Sequence, residues 1–433
     1  MALVDSRAQR MTMLCAMYLA QGIPWGFMTI ALISYLTSRG VGDAQAGQLT
    51  GIVLIPWTFK LIWAPLIDSV TIRSMGRRRP WIIGAELMMA LSLLGILMIG
   101  DMTDNLRLLG WMFFLHNVFA SLQDVTTDAL AVDILPYEEQ GRTNGMMWGT
   151  KLIGKAIGAT LMANIIYAWG LPEAVLAQMI ALLIIMLFPI FLVERTGEKR
   201  FPWSKGRAQD AGGGASVRSP LAVLRDLHHA FELTTGWVFF VFGTISMIGW
   251  GIVEIITKTL YTQQLDWTFV EVSNVSGLAV LTEMVGAFGG GYLADRYGRR
   301  KIMIIGMGGY GLLAIIFGAL PFLWHDSRFA AAYLLLNPGI LAVGAVGYLS
   351  MSMRISWTQA AATVFTVYMT VSNIGHVIGN WLVGTLRETW ALSYEHSFFA
   401  VGIFMWTPLL LLAVVRLEEV DEHKLRYAKS VRP

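Results

Sequence analysis

About twelve runs of apolar residues, each of bilayer-spanning length, govern what this chain can fold into. They fall at about 11–36, 47–67, 81–100, 108–133, 144–169, 173–193, 237–260, 271–293, 301–323, 330–352, 357–385 and 396–415. Roughly 20 apolar residues of helix cross the hydrocarbon of a membrane. Inside lipid only helices and closed barrels satisfy every backbone N–H and C=O. The runs are too long and too continuous for barrel strands, so the pattern predicts an all-α membrane protein with about twelve transmembrane helices. Only 14% of the residues are charged, against roughly 25% in a soluble chain, and apolar surface on this scale must face lipid.

The charges set the expected topology. The N-terminal run continues from Met11 to about Leu36 without a small-residue cleavage site, so it reads as a retained first helix rather than a signal peptide. Most of the 32 Lys+Arg fall on one side, among them Arg7, Arg10, Arg73, Arg77, Arg78, Arg79, Arg195, Lys199, Arg200, Arg296, Arg299, Arg300, Lys301, Lys424 and Arg426; the opposite loops hold Arg39, Arg107, Arg328 and Arg387. By the positive-inside rule both termini and the central connection are expected in the cytoplasm. The predicted organisation is a six-helix bundle over 1–193, a cytoplasmic linker over 194–236, a second six-helix bundle over 237–416 and a cytoplasmic tail over 417–433. Within the linker, Leu221, Leu224, Leu227 and Phe231 recur at helical spacing, the pattern of an interfacial amphipathic helix; a plain solvated linker is the other reading.

The two bundles echo each other. After the second run come Asp68 and then Gly76-Arg77-Arg78-Arg79; after the eighth comes Gly291 to Lys301, with Asp295, Gly298, Arg299 and Arg300. An acidic helix end, a glycine turn and a basic cluster at matching places mark an internal repeat of the kind secondary transporters carry. Asp133, near the end of the fourth run, is expected to pair with the Arg77–Arg79 cluster. These residues form an expected cytoplasmic gate motif.

Several functions are excluded. One cysteine, Cys15, rules out a disulfide framework or a cysteine metal cluster. No H-E-x-x-H, nucleophile elbow or phosphate loop is present. No catalytic residue, metal, cofactor or nucleic-acid partner is therefore expected. Without an ATP-binding domain, uphill transport is expected to draw on an ion gradient or on a separate protein. A non-transporting receptor or scaffold fits poorly with charges placed inside spans.

Gly291 to Lys301 resembles the loop motif of the major facilitator superfamily almost position by position. The first-half copy departs from it, with extra residues between Asp68 and Gly76 and Ala64 in place of its first glycine. The stretch Pro56, Trp57, Lys60, Trp63, Pro65, Asp68, with Gly76 to Trp81, resembles the second-span region of AmpG-type muropeptide permeases. Ser121 to Arg142, with Gln123, Asp124, Thr127, Asp128, Asp133 and Pro136, resembles their fourth-span region. The specific likeness covers about 55–145. It implies two pseudo-symmetric six-helix bundles and import of a sugar–peptide conjugate, often driven by protons, with siderophore, acyl-CoA and peptide permeases as related alternatives. It also implies a monomer that carries a small polar substrate, and the scarcity of lysine on the outer side with compact loops fits a bacterial cytoplasmic (inner) membrane.

Charges inside spans cost at least about 2.5–3.5 kcal/mol each on insertion scales and so call for a reason. The first half places Lys60, Glu86, Asp124, Asp128, Lys151 and Lys155 there; the second places Glu254, Lys258 and Glu283. Asp124 and Asp128 share one face of the fourth helix, and Lys151 and Lys155 one face of the fifth. Antiparallel neighbours would pair these rungs, as a structural ladder or as a proton and substrate site, with Asp124 nearest the midplane. Glu254 and Lys258 are spaced for an ion pair along one helix. His376, with Asn373 and Asn380, forms a polar stripe on the eleventh helix. Gln21, Gln123, Trp25, Trp57 and Trp148 complete the expected substrate-facing set, the indoles being suited to stack on sugar faces. The fifth helix lacks the Gly-Pro pair associated with antiporters of the superfamily it resembles, and that resemblance therefore implies symport rather than antiport.

Overall fold

The computed structural model describes residues 2–69, 72, 74–100, 102–201, 203, 231–356 and 361–430, and among these there is no strand. The linker segment around Leu221–Leu227 lies outside the described residues. The chain divides into two compact units. The first comprises Met1–Val41, Ile52–Val217 and Trp267–Gly277; the second comprises Gly42–Gly51, Arg218–Asp266 and Leu278–Pro433.

Helix α1 runs over Arg7–Ser38. Ser6 starts it by accepting a hydrogen bond from the Gln9 N–H. Pro24 lacks the N–H that would bond back to Ala20, and the helix passes through a π turn at Phe27–Ala31 before resuming. Helix α2 covers Asp43–Leu54 and α3 covers Trp63–Ser69, with 3-10 turns at Ile55–Thr58 and Lys60–Ile62 between them. The second predicted span is thus not one continuous helix: Pro56, at the start of the first turn, cannot extend the α2 ladder.

The first unit continues with α4 (Arg79–Leu97), α5 (Leu106–Ile134), α6 (Tyr137–Ala168) and α7 (Leu171–Phe191). In it α1 packs along α6, and α4 packs against α5 and α7. The second unit holds most of α2, then α8 (Thr234–Gln263), most of α9 (Phe269–Tyr297), α10 (Arg299–Ala319), α11 (Ser327–Ile355), α12 (Ala361–Gly384), α13 (Tyr394–Trp406) and α14 (Leu417–Ser430). There α8 packs along α12 and α13, and α10 packs against α11 and α13.

Eight of the described helical segments are long and apolar enough to cross a membrane. Their outward faces are apolar: on α7, Leu176, Ile180, Ile184, Leu187 and Phe191 recur every three or four residues and are all exposed. A stripe like this in water would be an aggregation surface; in lipid it is the solvated face. The protein is a multi-pass membrane protein. Helices α5 and α6, of 29 and 32 residues, bury polar residues that form the site.

Loop ends are held by ionic contacts. Arg79, fully buried at the start of α4, donates to the carbonyls of Pro189 (2.9 Å) and Ile190 (3.1 Å) at the end of α7 and pairs with Glu198 (3.4 Å). Glu194 accepts the backbone N–H groups of Arg78 (2.9 Å) and Arg79 (2.5 Å), which are orphan donors of the α4 N-terminus. Gly76 and Gly298, the turn glycines of the two repeat copies, have φ of +94° and +99°, the left-handed region where glycine is unstrained. The tail is helical rather than loose, with Val420 of α14 buried against Leu233.

Candidate functional site

The polar centre of the first unit is built on Asp124 of α5. The break after α2 turns Lys60 toward it, and Lys60 Nζ lies 3.1 Å from Asp124 Oδ2. Lys151 of α6 approaches from the other side, 3.6 Å from Oδ1. One carboxylate is thus shared by two ammonium groups, and side-chain exposures of 6% for Asp124 and 11% for Lys151 make the contact largely desolvated. Asp128, one turn along α5 and exposed, accepts a hydrogen bond from the Tyr18 hydroxyl of α1 at 2.6 Å. Asp124 is thus neutralised by two ammonium groups, and Asp128 lies within their electrostatic reach, which offsets the cost of placing these charges in a membrane.

Aromatic rings enclose these charges. Lys151 Nζ lies 5.2 Å from the ring centroid of Trp57, 5.3 Å from Trp148, 5.4 Å from Tyr18 and 6.0 Å from Trp25. Lys155 Nζ sits 4.6 Å from Trp25, within cation–π range. Trp57 is oriented by its Nε1–H, which donates to Asn117 Oδ1 at 3.2 Å. Trp148 is half exposed and Lys155 partly exposed, so this edge of the cluster is open to a ligand.

Behind the ion cluster runs a buried chain. Gln21 Nε2 donates to Gln123 Oε1 at 2.6 Å, and Gln123 Nε2 donates to Glu86 Oε1 at 3.0 Å and to the Met17 carbonyl at 3.2 Å. Glu86 is fully buried, and its Oε2 has no hydrogen-bond partner.

The expected rungs are therefore partly regrouped. Asp124 meets Lys151, and it meets Lys60 more closely; Asp128 turns to Tyr18. Tyr18 and Asn117 were not singled out from sequence, since no local pattern marks a hydroxyl or amide as the partner of a distant residue. In the second unit, Glu254 Oε2 lies 2.7 Å from His376 Nε2 on α12, while Lys258 Nζ donates to the Glu254 backbone carbonyl. Asn380 is fully buried with both amide atoms unbonded; Asn373 and Glu283 are partly buried. Arg387 and Tyr394 both bind Asp43, at 2.9 and 3.1 Å, another grouping the sequence did not disclose.

Of the expected gate residues, Arg78 Nε pairs with Asp133 Oδ2 at 2.8 Å. Arg77 is partly buried, and the Asp68 side chain lies outside the described residues. Asp295 is exposed, Arg299 contacts the Ser350 carbonyl at 3.5 Å, and Arg300 donates to the Leu412 carbonyl. Among the described residues no group of His, Cys, Asp and Glu is arranged to hold a metal ion.

The sequence profile of the Major Facilitator Superfamily matches residues 13–380. The anhydromuropeptide permease of Escherichia coli (strain K12) is 25% identical over 419 residues, covering 94% of this chain and 79% of the permease. Among solved structures, a crystal structure of a mutant of the nucleoside transporter NupG aligns with a TM-score of 0.70 at 13% identity, over 94% of this chain and all of that one. A bacterial homologue of the human drug peptide transporters PepT1 and PepT2 aligns with a TM-score of 0.71 at 11% identity, over 97% of this chain and all of that one. At these identities the structural matches speak for the fold alone.

Proposed function

Since the chain belongs to the major facilitator superfamily, and is a transporter rather than an enzyme, we propose that it is a proton-coupled importer of an anionic sugar–peptide conjugate of the anhydromuropeptide type. The observation that carries this reading is the Lys60–Asp124–Lys151 triad set among Tyr18, Trp25, Trp57 and Trp148. Indole faces suit the C–H faces of a sugar ring, and ammonium groups suit the carboxylates of a muramyl peptide. Similarity over 94% of this chain to a permease named for that substrate supports the same class.

The triad also suggests how a proton and an anion would travel together. While Asp124 is ionised it occupies both lysines. A proton on Asp124 cancels its charge and releases Lys60 and Lys151 to a substrate carboxylate. Anion binding without the proton would have to break two desolvated ion pairs, so the loaded state favours both ligands or neither. Alternating access would then carry proton and substrate across together. The same reading places the protein as a monomer in a bacterial inner membrane, with both termini in the cytoplasm.

The test is direct binding. Anhydromuramyl-tripeptide added to purified protein should quench tryptophan fluorescence saturably. Lys151→Met should weaken the apparent Kd by at least about tenfold, equivalent to roughly 1.4 kcal/mol. Absence of binding by wild type, with saturable binding of an acyl-CoA or a siderophore instead, would reject the substrate class.

A further inference from the structure

The helix pairs α1–α6 and α8–α12 repeat each other in sequence and in contact. Leu19, Ile23, Trp25 and Gly26 on α1 correspond without a gap to Thr244, Ile248, Trp250 and Gly251 on α8. Gly154-Lys155-Ala156-Ile157-Gly158 on α6 corresponds to Gly375-His376-Val377-Ile378-Gly379 on α12. The contacts agree pair by pair. A Cβ on Gly154 would meet the Leu19 carbonyl, and one on Gly375 would meet that of Thr244. A Cβ on Gly158 or Gly379 would meet the carbonyl of Ile23 or Ile248. A Cβ on Gly26 or Gly251 would meet the carbonyl of Lys155 or His376. Each half therefore builds the same seat: a Trp-Gly step on one helix receives the residue after the first glycine of the facing helix.

The occupants of the two seats differ. In the first half the seat holds a lysine, with Lys155 Nζ 4.6 Å from the Trp25 ring. In the second it holds a histidine, with the His376 ring stacked on Trp250 at 3.9 Å and 13°. At the position of Thr29 in the first half stands Glu254, whose carboxylate is 2.7 Å from His376 Nε2. Both side chains are buried, at 6% exposure for His376 and 9% for Glu254. An alkylammonium is a fixed charge at neutral pH, whereas an imidazole is a switchable one.

We propose that the His376–Glu254 pair, stacked on Trp250, is a second proton-binding site, the titratable counterpart of the Trp25–Lys155 seat. This rests on the proton-coupled reading above and adds a site in the other half of the molecule. With the Nε2–H bonded to Glu254, the arriving proton bonds to Nδ1. The pair then changes from imidazole–carboxylate, net negative, to imidazolium–carboxylate, net neutral, with the cation held against the indole face.

The surroundings define what else bears on it. On α8, Lys258 donates to the Glu254 carbonyl. On α10, the buried Tyr310 hydroxyl lies within electrostatic reach of Glu254. On α12 itself Asn373 and Asn380 stand three residues before and four after His376, on the same helical face. The segment Gly42–Gly51, which contacts Asn380 through Gly47, contributes one charge, Asp43, and that is bound by Arg387. The charged and titratable groups of α13, Glu395 and His396, and the charges of α11, Arg328 and Arg354, stand at the ends of their helices.

The first readout needs no substrate. Protein in lipid nanodiscs is titrated from about pH 5 to 8, the range where imidazole changes charge, while tryptophan emission is followed. A protonated ring against Trp250 quenches it, so emission should rise with pH in a single transition. Trp250→Phe and His376→Gln should each abolish that transition. Lys fits the equivalent seat in the first half, so His376→Lys should fold and show a pH-independent signal. The second readout is uptake of labelled anhydromuramyl-tripeptide into liposomes. Gradient-driven uptake should be lost in His376→Gln and Glu254→Gln, while exchange without a gradient is retained. A transition that survives His376→Gln, or none in wild type, would overturn the site. A normal transition with no uptake of this substrate by wild type would overturn the substrate reading and leave the proton site standing.

Discussion

Lys60 and Asp124 are 64 positions apart in sequence and 3.1 Å apart in the structure. Helical spacing disclosed that Asp124 and Asp128 share a face, as do Lys151 and Lys155, and that buried charges needed partners. It did not disclose which cation Asp124 would take first, because Lys60 reaches it only through the irregular turns after α2. The grouping predicts non-additivity. Asp124→Asn leaves two ammonium groups facing each other, and Asp124→Asn with Lys60→Gln removes one of them. Thermal unfolding in detergent should show the double variant more stable than the sum of the single losses, by a coupling of about 1–3 kcal/mol; strict additivity would mean the pair is not formed. At the loop beneath α4, burial, followed by the neighbouring Glu198 charge, pushes the Glu194 carboxyl up to about 7, against the opposing pull of the Arg78 and Arg79 N–H groups. A carboxyl raised in the folded state binds its proton more tightly there than when unfolded. Its contribution is complete below its ordinary value near 4.5 and fades as pH climbs through about 7. The melting temperature should therefore fall between about pH 5 and 8, and Glu194→Gln should flatten that slope; an unchanged slope would reject the assignment.

Most helices could be read from apolar run length alone, because lipid enforces regular hydrogen bonding and leaves the chain few alternatives. The exceptions have local causes. Pro56 divides the expected second span, and Pro24 diverts α1 through a π turn. How closely α1 and α6 approach was less visible, since small residues at helical spacing announce a contact without naming its partner. The geometry now separates glycines that matter from those that do not. A Cβ on Gly26 would run into the Lys155 carbonyl, whereas one on Gly84 of α4 meets nothing within 4 Å. Gly26→Ala should sharply lower thermal stability and folded yield, because backbone must move to make room. Gly84→Ala should be neutral or stabilising by about 0.5–1 kcal/mol, from helix propensity. Equal effects in a melting assay would contradict the close α1–α6 packing.

At the scale of the whole molecule, the fold class was legible from the length and number of apolar runs and from the Gly291–Lys301 motif, and the family followed from the latter. The halves advertised their kinship through loop motifs, but the deeper repeat of Trp-Gly steps against glycine-flanked Lys155 and His376 appeared only when contacts could be matched pair by pair. The two stretches align without a gap in sequence, but so few matching residues in apolar helices do not announce a shared seat until the contacts agree. Substrate and coupling depend on how the Asp124 cluster responds to a proton. The most direct measurement is uptake of labelled anhydromuramyl-tripeptide into liposomes, with and without an inward proton gradient, for wild type and Asp124→Asn. The account predicts accumulation in wild type only while the gradient is imposed, and none in Asp124→Asn although that variant still binds the substrate. Accumulation that ignores the gradient, or that survives Asp124→Asn unchanged, would contradict it.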